Sequence, residues 1–101
     1  IMGGLDKGSD FSILKNPVEQ KVKALVLIGK AKDKIAAALG GTAETVIAAD
    51  LDAAVEISLS KASAGDTVLL SPGCASFDMF RDFEDRGSKF KEAVRKIAAC
   101  T

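Results

Sequence analysis

Apolar positions along this chain alternate between two rhythms. Ala24-Leu25-Val26-Leu27-Ile28 is a continuous apolar run closed by Gly29. A run of that length suits a strand covered on both faces, as in a parallel sheet between helices. Thr45 to Ala48 and Thr67 to Leu70 read as shorter strands, the second entered through the Gly65-Asp66 turn, and Ile1-Met2 reads as a strand tail that runs into Gly3-Gly4. Between these runs the spacing becomes helical. Phe11, Leu14 and Val18 share one face of a short helix that Ser9 or Asp10 could cap. Pro17 is expected to weaken that helix, because it lacks an amide proton and restricts Asn16. Lys30 to Leu39 is the next helix, with Ala31, Ile35 and Ala38 inward and Gly40-Gly41 ending it. Asp50 caps a third, in which Leu51, Ala54, Val55, Ser58, Leu59 and Ala62 form a stripe. The final helix carries Phe90, Ala93, Val94 and Ile97 on one side, with Lys91, Arg95 and Lys96 toward its carboxyl end, where they suit the helix dipole.

Strands alternating with helices at this spacing predict a parallel sheet with right-handed crossovers. The expected fold is α/β, a small Rossmann-like three-layer domain with a mostly parallel sheet flanked by helices. At 101 residues the chain forms one domain, 1–101, large enough to bury one core.

Composition narrows the function classes. The formal net charge is zero, with 48% hydrophobic and 28% charged residues, so neither nucleic acid nor an anionic membrane is expected as a partner. No apolar run approaches the roughly 20 residues of a membrane span. Ile1-Met2-Gly3-Gly4 has neither the basic start nor the apolar region of a signal peptide, and a strand tail at residue 1 leads us to expect a piece of a longer protein. Two cysteines, Cys74 and Cys100, stand far apart and there is no histidine. A disulfide framework or a structural zinc site is not expected, and a reducing, cytosolic setting fits. Without histidine the chain also lacks the commonest general base.

Two loops after strand ends carry the candidate chemistry, because ligands of open α/β sheets gather there. Gly3 to Asp10 offers glycines for close backbone approach and Lys7 for an anion, without Walker A spacing. On residue types alone, a plain turn with a solvated lysine is the simpler reading. Ser71 to Ser76 leaves the last predicted strand, and Ser76 or Asp78 could cap the helical turn that follows, giving a hydroxyl and free amides for a small anion. The plainer alternative has Ser76 as a cap and Phe77, Phe80, Phe83 and Phe90 as core, Phe83 and Phe90 sharing one buried face. Cys74 is expected to be a packed thiol, since no neighbour in sequence would activate it. Asp78, Asp82, Glu84 and Asp85 alternate with Arg81 and Arg86 as on a solvated, partly paired helix surface, not a metal cluster.

Taken together, the loops are more specific. Gly3-Gly4-x-Asp6-Lys7-x-x-Asp10-Phe11, followed about 60 residues later by Leu69-Leu70-Ser71-Pro72-Gly73-Cys74-Ala75-Ser76-Phe77-Asp78-x-Phe80-x-x-Phe83-x-x-Arg86-Gly87, resembles the carboxyl-terminal domain of the Mur ligases, in their D-glutamate-adding branch. The resemblance spans nearly the whole chain. It implies a bacterial, cytoplasmic, three-domain enzyme of peptidoglycan synthesis. There ATP and Mg2+, held mainly by other domains, activate the carboxylate of UDP-N-acetylmuramoyl-L-alanine as an acyl phosphate for attack by D-glutamate. By position, it implies that Lys7 pairs with one carboxylate of D-glutamate. Ser76 and the amide of Phe77 would take the other, with Phe83 at the pocket edge. No catalytic or metal residue is implied in this stretch, so the chain alone is expected to be inactive. Leu5-Asp6 departs from the family's pattern, which puts the shape of the first loop in question. Gly29-Lys30-Ala31-Lys32-Asp33 stands where ligases that add meso-diaminopimelate carry Asp-Asn-Pro-Arg, which argues against that branch. Two other readings remain: a free-standing, non-enzymatic α/β binding module, and the matching domain of another ligase of the superfamily, such as a folate polyglutamating enzyme.

Overall fold

The central strand organises the molecule. In the computed structural model, which describes the backbone of residues 1–100 and the side chains of residues 1–98, Ala24–Ile28 forms β2 with β1 (Met2–Gly3) on one side and β3 (Glu44–Ile47) on the other. Both pairings are parallel, with Met2 opposite Leu27 and Val26 opposite Val46. Alternate β2 side chains enter two separate cores, as a strand covered on both faces requires. Leu25 and Leu27 join Met2, Phe11, Val18, Ile35 and Leu39, whereas Val26 and Ile28 join Leu51, Ala54, Val55 and Ala93. The first core lies under α1 (Lys15–Lys21) and α2 (Lys32–Leu39), the second under α3 (Leu51–Lys61) and α4 (Phe83–Cys100). This is the expected helix–sheet–helix arrangement. Full burial of each aliphatic side chain contributes about 1.5–3 kcal/mol, so the two clusters dominate stability.

The helix caps follow the side-chain chemistry. Asp10 accepts from the Ser12 amide and opens a 3-10 turn, Phe11–Leu14, that leads directly into α1. Pro17 therefore falls in the first turn of α1, where a missing amide proton removes no helical hydrogen bond. Asp50 caps α3 by accepting from the Ala53 amide at 2.8 Å.

Four expectations are corrected. The segment 67–70 is extended but forms no full strand. It lies along the outer edge of β1, where the Ile1 amino group donates to the Leu69 carbonyl and the Ser71 amide donates to the Ile1 carbonyl. With β1 two residues long, Thr67 and Val68 have no ladder partner there. Leu59, placed on the inward stripe of α3, is 49% exposed, because the apolar stripe drifts away from the sheet beyond Val55. Val94 is likewise exposed, while Ala93, Phe90 and Ile97 pack inward. Finally, α4 runs to Cys100, so Lys91, Arg95 and Lys96 precede its last turn and gain little from the dipole there. The side chain of Cys100 lies outside the described residues, so the expectation that the two cysteines build no disulfide framework is not addressed there.

Candidate functional site

Three loops meet at the carboxyl ends of the strands. The first follows β1 and carries Lys7. The second is the Gly29-Lys30 turn after β2, and the third runs from Ser71 to Phe80. Leu5 and Ala75 exchange a reciprocal pair of backbone hydrogen bonds, at 2.8 and 3.0 Å, which stitches the first loop to the third. The Ala31 amide donates to the Gly4 carbonyl at 2.9 Å, joining the first to the second. The Lys30 amide donates to Asp78 Oδ2 at 2.9 Å, joining the second to the third. Gly4 is glycine for a steric reason: its φ is +139°, and a Cβ there would stand 2.4 Å from the Ala75 carbonyl oxygen.

This stitching brings Lys7 to Phe77. The Lys7 ammonium stands 5.9 Å from the centre of the Phe77 ring, within range of a cation–π contact. Lys7 is exposed and forms no ion pair among the described residues. The neighbouring ammonium is committed: Lys34 Nζ pairs with Asp6 at 2.6 Å. That bond, followed by the Ser9 amide, holds the Asp6 carboxyl below its usual range. Asp6 also accepts from the Gly8 and Ser9 amides, so the Leu5-Asp6 departure builds an Asx-type turn that presents Lys7 outward.

Ser76 is buried, at 3% exposure. Its carbonyl accepts from the Met79 and Phe80 amides, which makes a single helical turn. The Phe77 amide donates to no described residue. Phe83 is the first residue of α4 and is 70% exposed. The structure thus unites Lys7, Ser76 and Phe77 in one corner, with Phe83 six residues further along the same segment and uncovered.

Several sequence expectations fail here. Neither Ser76 nor Asp78 caps the helical turn at 77–79 through its side chain among the described residues, since the Asp78 carboxylate accepts from the Lys30 amide instead. Asp82 caps α4 by accepting from the Asp85 amide at 2.7 Å, and Asp85 in turn accepts from the Arg81 amide. Phe77 and Phe83 are not core, at 63% and 70% exposure, and Phe83 shares no buried face with Phe90. An aromatic count locates apolar surface but not which residue covers it. The charged residues from Asp78 to Arg86 form no ion pair with one another among the described residues; Asp78, Asp82, Asp85 and Arg86 bond to backbone groups instead, Arg86 donating to the Cys74 carbonyl at 2.8 Å. The Asp78–Lys30 and Arg86–Cys74 links, 48 and 12 residues apart, escaped sequence reasoning because both lie beyond the range of capping and helical spacing. Cys74 packs against the first core, and burial, with Asp6 and Asp78 nearby, raises its thiol pKa, so it remains a thiol. Among the described residues no group of three potential metal ligands occurs, and no helix is long and apolar enough to cross a membrane.

No protein-family model matches the chain. Individual relatives do. Over 100 residues it is 48% identical to the UDP-N-acetylmuramoylalanine--D-glutamate ligase of Chlorobaculum parvum, covering 99% of this chain and 21% of that protein. A protein of the same name from Chloroherpeton thalassium is 50% identical over 97 residues, covering 96% of this chain and 21% of the relative. A third, from Ralstonia nicotianae, is 54% identical over 100 residues, covering 98% and 20%. The chain therefore spans about a fifth of the length of the curated relatives it matches.

Proposed function

We propose, from the premise that nearly all of this chain is related to one stretch of the UDP-N-acetylmuramoylalanine--D-glutamate ligases, that it is the D-glutamate-binding carboxyl-terminal domain of such a ligase. The observation that carries this reading is the Leu5–Ala75 pairing, which joins the loop of Lys7 to the loop of Ser76 and Phe77 and leaves the Lys7 ammonium over the Phe77 ring. D-Glutamate has two carboxylates and an amine. A dicarboxylate calls for a cation at one end and directed donors at the other, held at fixed separation. Lys7 pairs with one carboxylate, the Ser76 hydroxyl and Phe77 amide donate to the second, and Phe83 covers the apolar methylenes at the rim.

The corner leaves the substrate amine free. Asp6 is neutralised by Lys34 and Asp78 accepts from a backbone amide, so neither is available to hold an ammonium. ATP and magnesium supply an acyl phosphate as the electrophile in this reading. In this reading the residues that hold ATP and magnesium belong to the rest of the ligase. This domain's part is to bind the amino acid, orient its amine and close over the reacting centre. The isolated chain has no ligase activity and binds D-glutamate weakly, because much of the preorganisation belongs to the closed enzyme.

Steady-state kinetics of the whole ligase test the reading. Lys7→Ala and Ser76→Ala should each lower kcat/KM for D-glutamate by the equivalent of about 1.5–3 kcal/mol, roughly 10- to 150-fold, the cost of one charge-assisted hydrogen bond. Unchanged kcat/KM in both variants overturns it. Turnover with a different amino acid favours another ligase of the superfamily, and ligation by the 101-residue chain alone contradicts the assigned division of labour.

A further inference from the structure

We infer that Asp78 is the positioning residue that holds the Ser76–Phe77 half of the proposed clamp in register with Lys7. The inference rests on the function proposed above. The three loops of the corner form a closed triangle of hydrogen bonds. Two of its sides are backbone to backbone, Leu5 with Ala75 and Gly4 with Ala31. The third is Asp78 Oδ2 with the Lys30 amide, and it alone depends on a side chain.

Asp78 directly follows Phe77, so whatever anchors its carboxylate also fixes the orientation of the Phe77 peptide. The anchor is tightly built. A Cβ on Gly29 would stand 2.6 Å from Asp78 Oδ2 and 2.8 Å from the backbone of Gly4, so all three loops touch at this point. The carboxylate is also poorly suited to stability alone. Its Oδ1 is buried without a hydrogen-bond partner among the described residues, and a buried acceptor left unpaired is destabilising. Removing Asp78 therefore discards an unsatisfied oxygen together with one hydrogen bond. Stability should change little, while the geometry of the clamp is lost. Asp78 acts through Ser76 and Phe77, and no role in proton transfer is assigned to it.

The test pairs two measurements on Asp78→Ala and Asp78→Asn. In the 101-residue chain, amide exchange and backbone relaxation are followed by NMR, with the melting temperature recorded alongside. In the whole ligase, KM is measured for each substrate. Asp78→Ala should expose the Lys30 amide to faster exchange and increase motion at residues 74–78, with Tm held within about 5 °C. It should raise KM for D-glutamate about tenfold or more, since an ångström-scale misplacement has effects of that order. KM for ATP and for the UDP-linked substrate should not move. Asp78→Asn keeps a carbonyl oxygen for the Lys30 amide and should lie nearer the parent. The inference is overturned if the 74–78 loop is unaltered in Asp78→Ala, if KM rises equally for all three substrates, or if KM for D-glutamate is unchanged. Lys7→Ala and Ser76→Ala separate the levels. If they impair D-glutamate use and Asp78→Ala does not, only the role of Asp78 is lost. If none of the three variants does, the clamp itself is wrong.

Discussion

Gly4→Ala tests whether the corner is held together as described. The substitution meets two separate penalties. At φ +139° an L side chain is strained, which costs about 1–3 kcal/mol. The new Cβ would also stand 2.4 Å from the Ala75 carbonyl oxygen. That atom is backbone and already accepts from the Leu5 amide, so it cannot turn aside as a flexible side chain would. Relief requires the first and third loops to part, breaking one or both Leu5–Ala75 bonds at about 0.5–1.5 kcal/mol each. The sum is on the order of 1.5–6 kcal/mol, a large fraction of the roughly 5–15 kcal/mol that stabilises a domain. Gly8→Ala is the control. Gly8 lies in the same loop at φ +88°, and a Cβ added there would meet no atom within 4 Å, so only the strain applies, about 1 kcal/mol. Urea unfolding of the two variants, compared at equal m, reads the difference directly. Equal destabilisation of both would refute the claim that the Gly4–Ala75 contact locks the corner.

The remaining predictions concern packing, charge and the thiol. Leu27→Ala, at a fully buried central-strand position, should cost about 2–5 kcal/mol, whereas Leu59→Ala at 49% exposure should cost under about 1 kcal/mol in the same urea titration. The Asp6 carboxyl is held low, first by Lys34 and then by the Ser9 amide. Its contribution is therefore present above the unfolded carboxylate pKa, near 3.8, and is lost as pH falls through the lower folded value. Asp6→Asn should flatten the acid limb of a pH–stability curve below about pH 4, and an unaltered limb would sink the assignment. Cys74, raised by burial, should react with iodoacetamide more slowly at about pH 7.5 than a free thiol does, and faster as pH climbs above about 9.

Legibility in the sequence followed the range of the interactions. The apolar run at 24–28 gave the central strand without error, since a strand buried on both faces needs no partner to be recognised. Asp10 and Asp50 were readable as caps because a cap bonds two or three residues onward. The segment 67–70 had a strand's composition, yet strand assignment depends on a neighbour, and its neighbour here is two residues long. Asp78 looked like a cap by spacing and instead reaches Lys30, 48 residues away. Phe77 and Phe83 looked like core by type, but the sheet is already covered by α3 and the inward side of α4, which leaves both outside. Periodicity reports which face a residue occupies only when the helix boundary is known, and α4 starts later than a cap at Ser76 implies.

The charges of the corner explain why a lysine that looked like ordinary solvated surface is the one worth testing. The Lys7 and Lys34 ammonium groups lie at the first loop, and the carboxylates of Asp6, Asp10 and Asp78 lie in or against it. If those carboxylates were unengaged, the corner would repel a dicarboxylate and hold its amine. They are instead largely turned inward: Asp6 to Lys34 and two amides, Asp10 to the Ser12 amide and hydroxyl, Asp78 to the Lys30 amide. A carboxylate that accepts several hydrogen bonds keeps its charge but presents less of it to a ligand. What faces outward is the Lys7 ammonium with the ring of Phe77 beneath it. Asp6→Ala separates this arrangement from simple net charge. Removing an acid makes the corner more positive, and by charge alone D-glutamate should bind better. It also frees Lys34 and dissolves the Gly8-Ser9 turn that presents Lys7. If orientation governs, KM for D-glutamate in the whole ligase rises despite the added positive charge, and a fall in KM would show that net charge outweighs the turn.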